Sequence, residues 1–351
     1  MIVAALLLAI LSYGFIDPNF PILHNPLEIL VYRHMPIAAV IYVLLLLVLF
    51  FCYHFLRFSQ KKIPPWFPAL VLILLISYPA FSYDIFNYIA TAKVTFFYKE
   101  NPYILMPIEI PNEPMLAFTR ASNKLALYGP TWIILTSFPH LLGMGNMLAT
   151  VLSFKLFVAA FYGAFVYLIY RKTKRWDQTL FFALNPLVLI EILVSGHNDI
   201  VMMTLAIAGL LLWRRAKALH KAAGLILFTS SIFVKGATLV LVPLLLTTSW
   251  NWERVARAGC LLMFGVFLLT PLREELYPWY AVWWLAFAAF LPIKKKSFIH
   301  SFSFWLSLGL MLRYVPWIAT RQYGGIMPLY RSILTIAPIG LYLLYDRLKK
   351  A

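Results

Sequence analysis

Apolar runs broken by short polar stretches dominate the chain. They fall at about 1–17, 36–56, 66–82, 146–170, 178–195, 199–213, 222–234, 236–250, 258–272, 278–293, 299–315 and 328–346, and runs of this kind read as membrane helices. The stretch 222–250 admits one long tilted helix or two short ones; basic residues flank it on both sides, which favours a hairpin with Lys235-Gly236 at its tip. One long interruption stands apart, residues 83–145. From Asp84 onward Ile85, Tyr88, Ile89, Ala92 and Phe96 recur at helical spacing, predicting an amphipathic helix on the membrane surface. Asn101-Pro102-Tyr103 ends it, and Pro107, Pro111 and Pro114 predict an irregular but stiff loop. Tyr128-Gly129-Pro130 then introduces the apolar run from Thr131.

Composition agrees with this pattern. With 62% hydrophobic and 12% charged residues and a mean hydropathy of +0.82, a soluble domain of this length is excluded. The expected fold is all-α, a polytopic membrane protein of about twelve spans, within a range of about 10–13. No internal repeat, low-complexity tract or linker interrupts it, so residues 1–351 are expected to form a single transmembrane domain, with 83–145 as its outer loop. The net charge of +17 does not form a nucleic-acid stripe: 19 of the 30 Lys and Arg lie in clusters between apolar runs. These are Arg57/Lys61/Lys62, Arg171/Lys172/Lys174/Arg175, Arg214/Arg215/Lys217/Lys221, Arg254/Arg257, Lys294/Lys295/Lys296 and Arg347/Lys349/Lys350. Such clusters mark cytoplasmic loops, placing both termini in the cytoplasm of a multi-pass plasma-membrane protein. The run from Met1 to Leu11 lacks a basic flank and a small-residue cleavage site and reads as a first membrane helix. Cys52 and Cys260 both lie in apolar segments and suggest neither a disulfide framework nor a thiolate metal site.

On this threading, Asp84, His197, Asp199, Glu274 and Glu275 gather on the outer face. Asp84 stands where a span emerges; it can face water, or it can take a proton from a hydroxyl arriving at the bilayer edge. His197, Asn198 and Asp199 form a turn between two spans, a place where such residues also serve as caps. Glu191 lies mid-span and is expected to meet a buried donor or a cavity. Lys155, Lys235, Arg313, Arg321 and Arg331 are cations at membrane depth or helix ends, and a lipid phosphate would suit a guanidinium or an ammonium. The aromatic segment Tyr277-Pro278-Trp279-Tyr280 with Trp283 and Trp284 fits a membrane interface or a sugar-stacking surface. There is no HxH or HExxH pattern, no GxGxxG and no P-loop.

Taken in order, Asp84, Asn101-Pro102-Tyr103, Tyr128-Gly129-Pro130, Asn185-Pro186 through Gly196-His197-Asn198-Asp199, Lys235 and Pro278-Trp279-Tyr280 resemble the landmarks of GT-C glycosyltransferases. More narrowly, they are similar to the prokaryotic polyprenol-phosphate-mannose-dependent mannosyltransferases, over about residues 66–290. The resemblance implies transfer of a sugar, mannose in that family, from a polyprenyl-phosphate donor to a hydroxyl of a glycan or glycolipid acceptor on the extracytoplasmic side, with inversion. It implies Asp84 as general base and a substrate site drawn from Tyr88, Lys93, Asn101, Tyr103, Tyr128, His197, Asn198, Asp199, Trp279 and Tyr280. Lys235, Arg313 and Arg321 would meet the donor phosphate. No cofactor is expected, since a lipid donor removes the need for a nucleotide fold; a divalent metal is not indicated, and no metal ligands are assigned. Two departures stand out: Asp84 is a lone acid where many relatives carry a pair, and Lys93 stands where close relatives often have Arg. The alternative function is a polytopic transporter or lipid or glycolipid flippase, against which the single long outer loop and the absence of repeated halves argue.

Overall fold

A computed structural model describes the chain except residues 19–24, 60–61, 118, 294–296 and 350–351. Lys61, Lys294, Lys295, Lys296 and Lys350 of the expected cytoplasmic clusters therefore lie outside the described residues. Among the described residues all regular structure is helical. Each of the twelve expected runs carries helix: α1 (Ile2–Tyr13), α2 (Met35–Ser59), α3 (Phe67–Ile76) and, beyond the outer loop, α6 (Met147–Thr173), then α7 (Trp176–Ala183), α8 (Pro186–Val188), α9 (Asp199–Trp213) and α10 (Ala218–Ile232). An 11-residue 3₁₀ helix (Gly236–Leu246), α11 (Trp252–Leu269), α12 (Ala281–Ala288), α13 (Phe298–Leu312), the short α14 (Val315–Thr320) and α15 (Met327–Leu348) complete the chain. Five helices are long and apolar enough to cross a membrane, or six if α7 and the segment Pro186–Val194, bent by 47°, count as one. The expected twelve crossings are thus not established. The physical reason is length, because α1, α3, α9 and α10 have 12, 10, 15 and 15 residues, against the roughly 20 that a bilayer-spanning helix requires.

The break after α7 shows how backbone polarity is handled at depth. Pro186 lacks an N–H, and Asn185 caps α8 by accepting from the Leu187 N–H at 3.0 Å. Two carbonyls near the end of α7 are taken up by buried phenols: Tyr53 donates to Phe181 O at 2.7 Å and Tyr162 to Ala183 O at 2.5 Å. Lys155, fully enclosed on α6, donates to the carbonyls of Leu74 and Ser77 at the end of α3. A cation there answers the negative end of the α3 dipole, so Lys155 has the buried partner that its depth demands.

The outer loop departs from the sequence-based expectation. The helix beginning at Asp84 exists, α4 (Asp84–Phe96), but it does not lie on the surface with one face in lipid. Eight of its 13 residues are buried, because α5 (Pro130–Leu142) and α6 pack against it. Two backbone bonds then tie this loop to the membrane helices: the Gly129 N–H donates to Val234 O and the Thr131 N–H to Phe233 O, both at 3.1 Å. A side chain at residue 129 would overlap the Phe233 carbonyl, so the close approach requires glycine. Residues 218–250 do turn back on themselves. Lys235 at the turn meets Asp199 at the start of α9, while Arg214 beyond the end of α9 donates to Thr247 O at 2.7 Å, and the Trp213 indole to Leu245 O at 2.8 Å.

Replacing Gly129 with Ala forces these backbones apart, an overpacking cost of about 1–3 kcal/mol. The expected outcome is a lower thermal unfolding midpoint of the detergent-solubilised protein than for Gly163→Ala, where a Cβ meets open space; equal midpoints would show that the contact carries no strain.

Candidate functional site

Three breaks in helical structure build the site. The first is the start of α4, where Asp84 occupies the first turn and its N–H donates to Ser82 Oγ at 3.2 Å; a carboxylate is favoured at this end of a helix. The second follows α8, where the chain widens into a π-helical turn (Leu189–Val194) and leaves it through Gly196 at φ +79°. That left-handed backbone is glycine's, and it lets the His197 N–H reach back to Glu191 O at 3.1 Å. The third is the 3₁₀ turn Pro278–Tyr280 ahead of α12.

These breaks converge on His197. Its side chain is fully buried, with Nδ1 3.5 Å from Asp84 Oδ2 and Nε2 3.2 Å from Glu191 Oε2. Trp279 stacks on the imidazole at 4.0 Å between ring centres, and Tyr277 stacks on Trp279 at 4.4 Å. Glu191, also fully buried, accepts from the Tyr314 hydroxyl at 2.8 Å. Asp84 differs from both: its side chain keeps 23% exposure, and Tyr128 donates to its Oδ2 at 3.3 Å. Burial opposes charge on His197, but contact with the two carboxylates outweighs it and pushes the imidazole pKa up to about 9. Burial likewise opposes ionisation of Asp84; the His197 contact and charge, Lys235 and Tyr128 together hold its carboxyl below the usual range. Burial, and then the Asp84 charge, hold the Tyr128 phenol well above its ordinary value, so it remains a donor.

Beside this chain of charges lies a second pair. Lys235 Nζ donates to both oxygens of the buried Asp199, at 3.0 and 3.1 Å, and the Trp283 indole donates to Oδ1 at 2.5 Å. The ammonium also lies 5.8 Å from the Tyr128 ring and 5.1 Å from that of Tyr280, within reach of cation–π attraction. Tyr280 in turn donates to Glu274 at 3.1 Å. Asn198 is fully buried; its N–H donates to the Tyr88 hydroxyl at 3.4 Å, and Tyr88 packs edge-on to Tyr128 at 4.8 Å.

Most residues singled out from the sequence therefore meet around Asp84: Tyr88, Tyr128, His197, Asn198, Asp199, Lys235, Trp279 and Tyr280. Lys93 does not. Nine positions past Asp84 on a helix of 3.6 residues per turn lies the opposite face, where Lys93 pairs with Glu113 at 2.9 Å, a carboxylate also held by the Tyr98 hydroxyl at 2.6 Å. Asn101 accepts from the Tyr103 N–H at 3.0 Å, and the Tyr103 hydroxyl donates to Tyr128 O at 2.9 Å, so both brace the loop that presents Tyr128. Arg313 and Arg331 converge on Glu275, at 3.5 and 2.6 Å. Arg321 donates to Val31 O at 2.8 Å among the rings of Phe15, Tyr32 and Trp317. The turn at 197–199 is not open to the outside, as its place between two helices suggested, but buried beneath α4 and the 3₁₀ turn. Tyr314 is an addition for which the sequence carried no signal beyond aromatic content, and Trp283, grouped in the sequence with the aromatic segment, serves as a donor to Asp199. Among the described residues no three His, Cys, Asp or Glu side chains are grouped as metal ligands.

Removing one partner of a buried ion pair costs about 3–5 kcal/mol, so Lys235→Met is expected to lower the thermal midpoint markedly; an unchanged midpoint would show that Lys235 and Asp199 are not paired. The pH dependence follows from His197. Its raised pKa stabilises the fold fully below the ordinary value near 6.5, and that contribution disappears as pH rises through about 9. The thermal midpoint of the wild type should fall over this window, and the fall should vanish in His197→Gln.

Residues 2–252 match the family model described as alpha-(1->6)-mannopyranosyltransferase, N-terminal domain. The chain is 29% identical over 201 residues to alpha-(1->6)-mannopyranosyltransferase A of Mycobacterium tuberculosis, an alignment covering 52% of this chain and 36% of that protein. The chain thus spans about a third of the length of this curated relative, and no solved structure matches it. Because the family match runs through residues 2–252, well over half of the chain, the chain belongs to the alpha-(1->6)-mannopyranosyltransferase family.

Proposed function

We propose that this protein is a membrane mannosyltransferase that moves mannose from a polyprenyl-phosphate donor to a hydroxyl of a glycan or glycolipid acceptor, with Asp84 as general base. The observation that carries this reading is the setting of Asp84: its carboxyl is held below the usual range and partly open, and among the described residues Tyr128 donates to one of its oxygens, the same oxygen that lies 3.5 Å from His197 Nδ1. In the reaction the Asp84 carboxylate takes the proton of the attacking hydroxyl, the acceptor oxygen bonds to the anomeric carbon, and the bond from that carbon to the phosphate oxygen breaks. The leaving polyprenyl phosphate carries away the electron pair. If the product is α-(1→6)-linked, as the family description names it, inversion requires a β-linked donor and a primary acceptor hydroxyl.

Charge grows on the phosphate as the bond breaks, and a fixed cation there lowers the barrier. Lys235 is the cation within electrostatic reach of Asp84, and Arg313 and Arg321 are the further cations that would meet the donor head group. The stacked rings of Trp279 and Tyr277 beside His197 form an apolar wall against which a pyranose face can rest. The site faces the extracytoplasmic side of the plasma membrane, with both termini in the cytoplasm, residues 1–351 acting as one membrane unit, and no metal or other cofactor taking part.

The test is transfer by the purified protein from a panel of polyprenyl-phosphate sugars. A general base contributes about 10²–10⁴ in rate, so Asp84→Asn should reduce transfer by at least about 10² with the fold intact. Near-normal transfer by the variant would remove Asp84 as base, and no transfer from any lipid donor would favour a carrier. Sidedness is checked by a cysteine at position 112 in the outer loop: an impermeant thiol reagent should label it in intact cells, and labelling only after permeabilisation would reverse the orientation.

A further inference from the structure

The proposed reaction makes no use of Glu191, yet this acid is costly to place. It sits fully enclosed within a membrane segment, where an unanswered carboxylate is severely penalised. One oxygen is met by the Tyr314 hydroxyl at 2.8 Å and the other faces His197 Nε2 at 3.2 Å. The π-helical widening of Leu189–Val194 and the left-handed Gly196 bring the His197 backbone back to the Glu191 carbonyl, so the two side chains face each other across a single turn. A π-turn inside a helix is a costly irregularity that recurs at functional sites. Here it aligns Glu191, His197 and Asp84 in a row.

We propose that Glu191 is a positioning residue for the transfer reaction: by holding the second nitrogen of His197, it keeps the imidazole doubly protonated and aimed at Asp84, fixing the carboxylate that receives the acceptor proton. Asp84 alone cannot hold a fully buried imidazolium securely, because at 23% exposure water shares its charge. Glu191, walled off from water, supplies the second counter-charge. The other groups facing the row are Tyr128, Tyr88, Tyr277 and Tyr280 around Asp84, Tyr314 and Tyr42 around Glu191, and the Lys235–Asp199 pair, whose ammonium acts on Asp84. Trp279 covers the imidazole face and keeps water from replacing either carboxylate. The elevated pKa of the imidazole agrees with two flanking carboxylates.

The inference rests on Asp84 as base, so its test has one arm that needs no activity. In the full-length protein in lipid nanodiscs, histidine side chains labelled with ¹³C and ¹⁵N report the ionisation midpoint of His197 by NMR, assigned with His197→Gln. The wild-type midpoint is expected at about 9. In Glu191→Gln it should fall by about one pH unit or more, as loss of a charge within about 4–6 Å requires, and Glu191→Asp should restore most of the fall. The second arm is the pH profile of transfer, whose alkaline limb should move down with the NMR midpoint in Glu191→Gln. A purely structural role for Glu191 would lower the whole profile without moving that limb.

A wild-type midpoint near the ordinary value of about 6.5 would overturn the proposal whether or not the variants fold. So would a midpoint unmoved in Glu191→Gln, or an alkaline limb that stays in place while the midpoint moves. Absence of transfer by the wild type from every lipid donor, with the midpoint shift present, would overturn the transferase reading, and with it the role of Glu191 in transfer, while leaving the Glu191–His197 contact standing.

Discussion

A charge enclosed by membrane helices must meet an opposite charge, and three ionisable side chains here, Glu191, His197 and Asp199, are fully enclosed. Both ring nitrogens of His197 face carboxylates, from two elements far apart in sequence. To bring them there the chain breaks a membrane segment into α7 and α8, widens the next turn to a π-helix and reverses at a left-handed glycine. The start of α4 then has to lie directly above this turn, which draws the outer loop inward and buries most of α4.

The same constraint explains the second layer of contacts. The α7 break frees carbonyls, and buried tyrosines from α2 and α6 take up two of them. The reversal at Lys235 could leave a lysine in lipid; instead it delivers the ammonium to Asp199 at the head of α9, two residues past His197. Gly129 fastens the loop end to that reversal through backbone bonds, so Tyr128 reaches Asp84 and the Lys235 ammonium together. Charge placement and helix irregularity are thus linked at the π-helical turn before His197 and at the reversal before Lys235.

The arrangement also separates two kinds of acid. Asp84, at a helix start, keeps a side chain that is 23% exposed, whereas Glu191 and Asp199 are fully buried against His197 and Lys235. The sequence motif shows a single aspartate at this point, and the supporting carboxylates come from a different part of the chain.

Class, helical content and the positions of the main breaks were legible in the sequence, because apolar runs, basic clusters, Asn-Pro and Pro-Trp-Tyr punctuation are local properties. The reversal at Lys235 was legible for the same reason, through basic residues on both flanks. The number of crossings was not, since several apolar runs fold into helices shorter than a bilayer. The burial of α4 was hidden because an amphipathic pattern is the same whether its apolar face meets lipid or protein. Helical period could have excluded Lys93 from the face of Asp84, although the motif order suggested otherwise. What the tertiary structure alone decided is the row Asp84–His197–Glu191, in which the first member is more than a hundred residues from the other two. A sequence names the acids and the histidine, but only packing brings two carboxylates to one buried ring and so determines which acid stays open to a substrate.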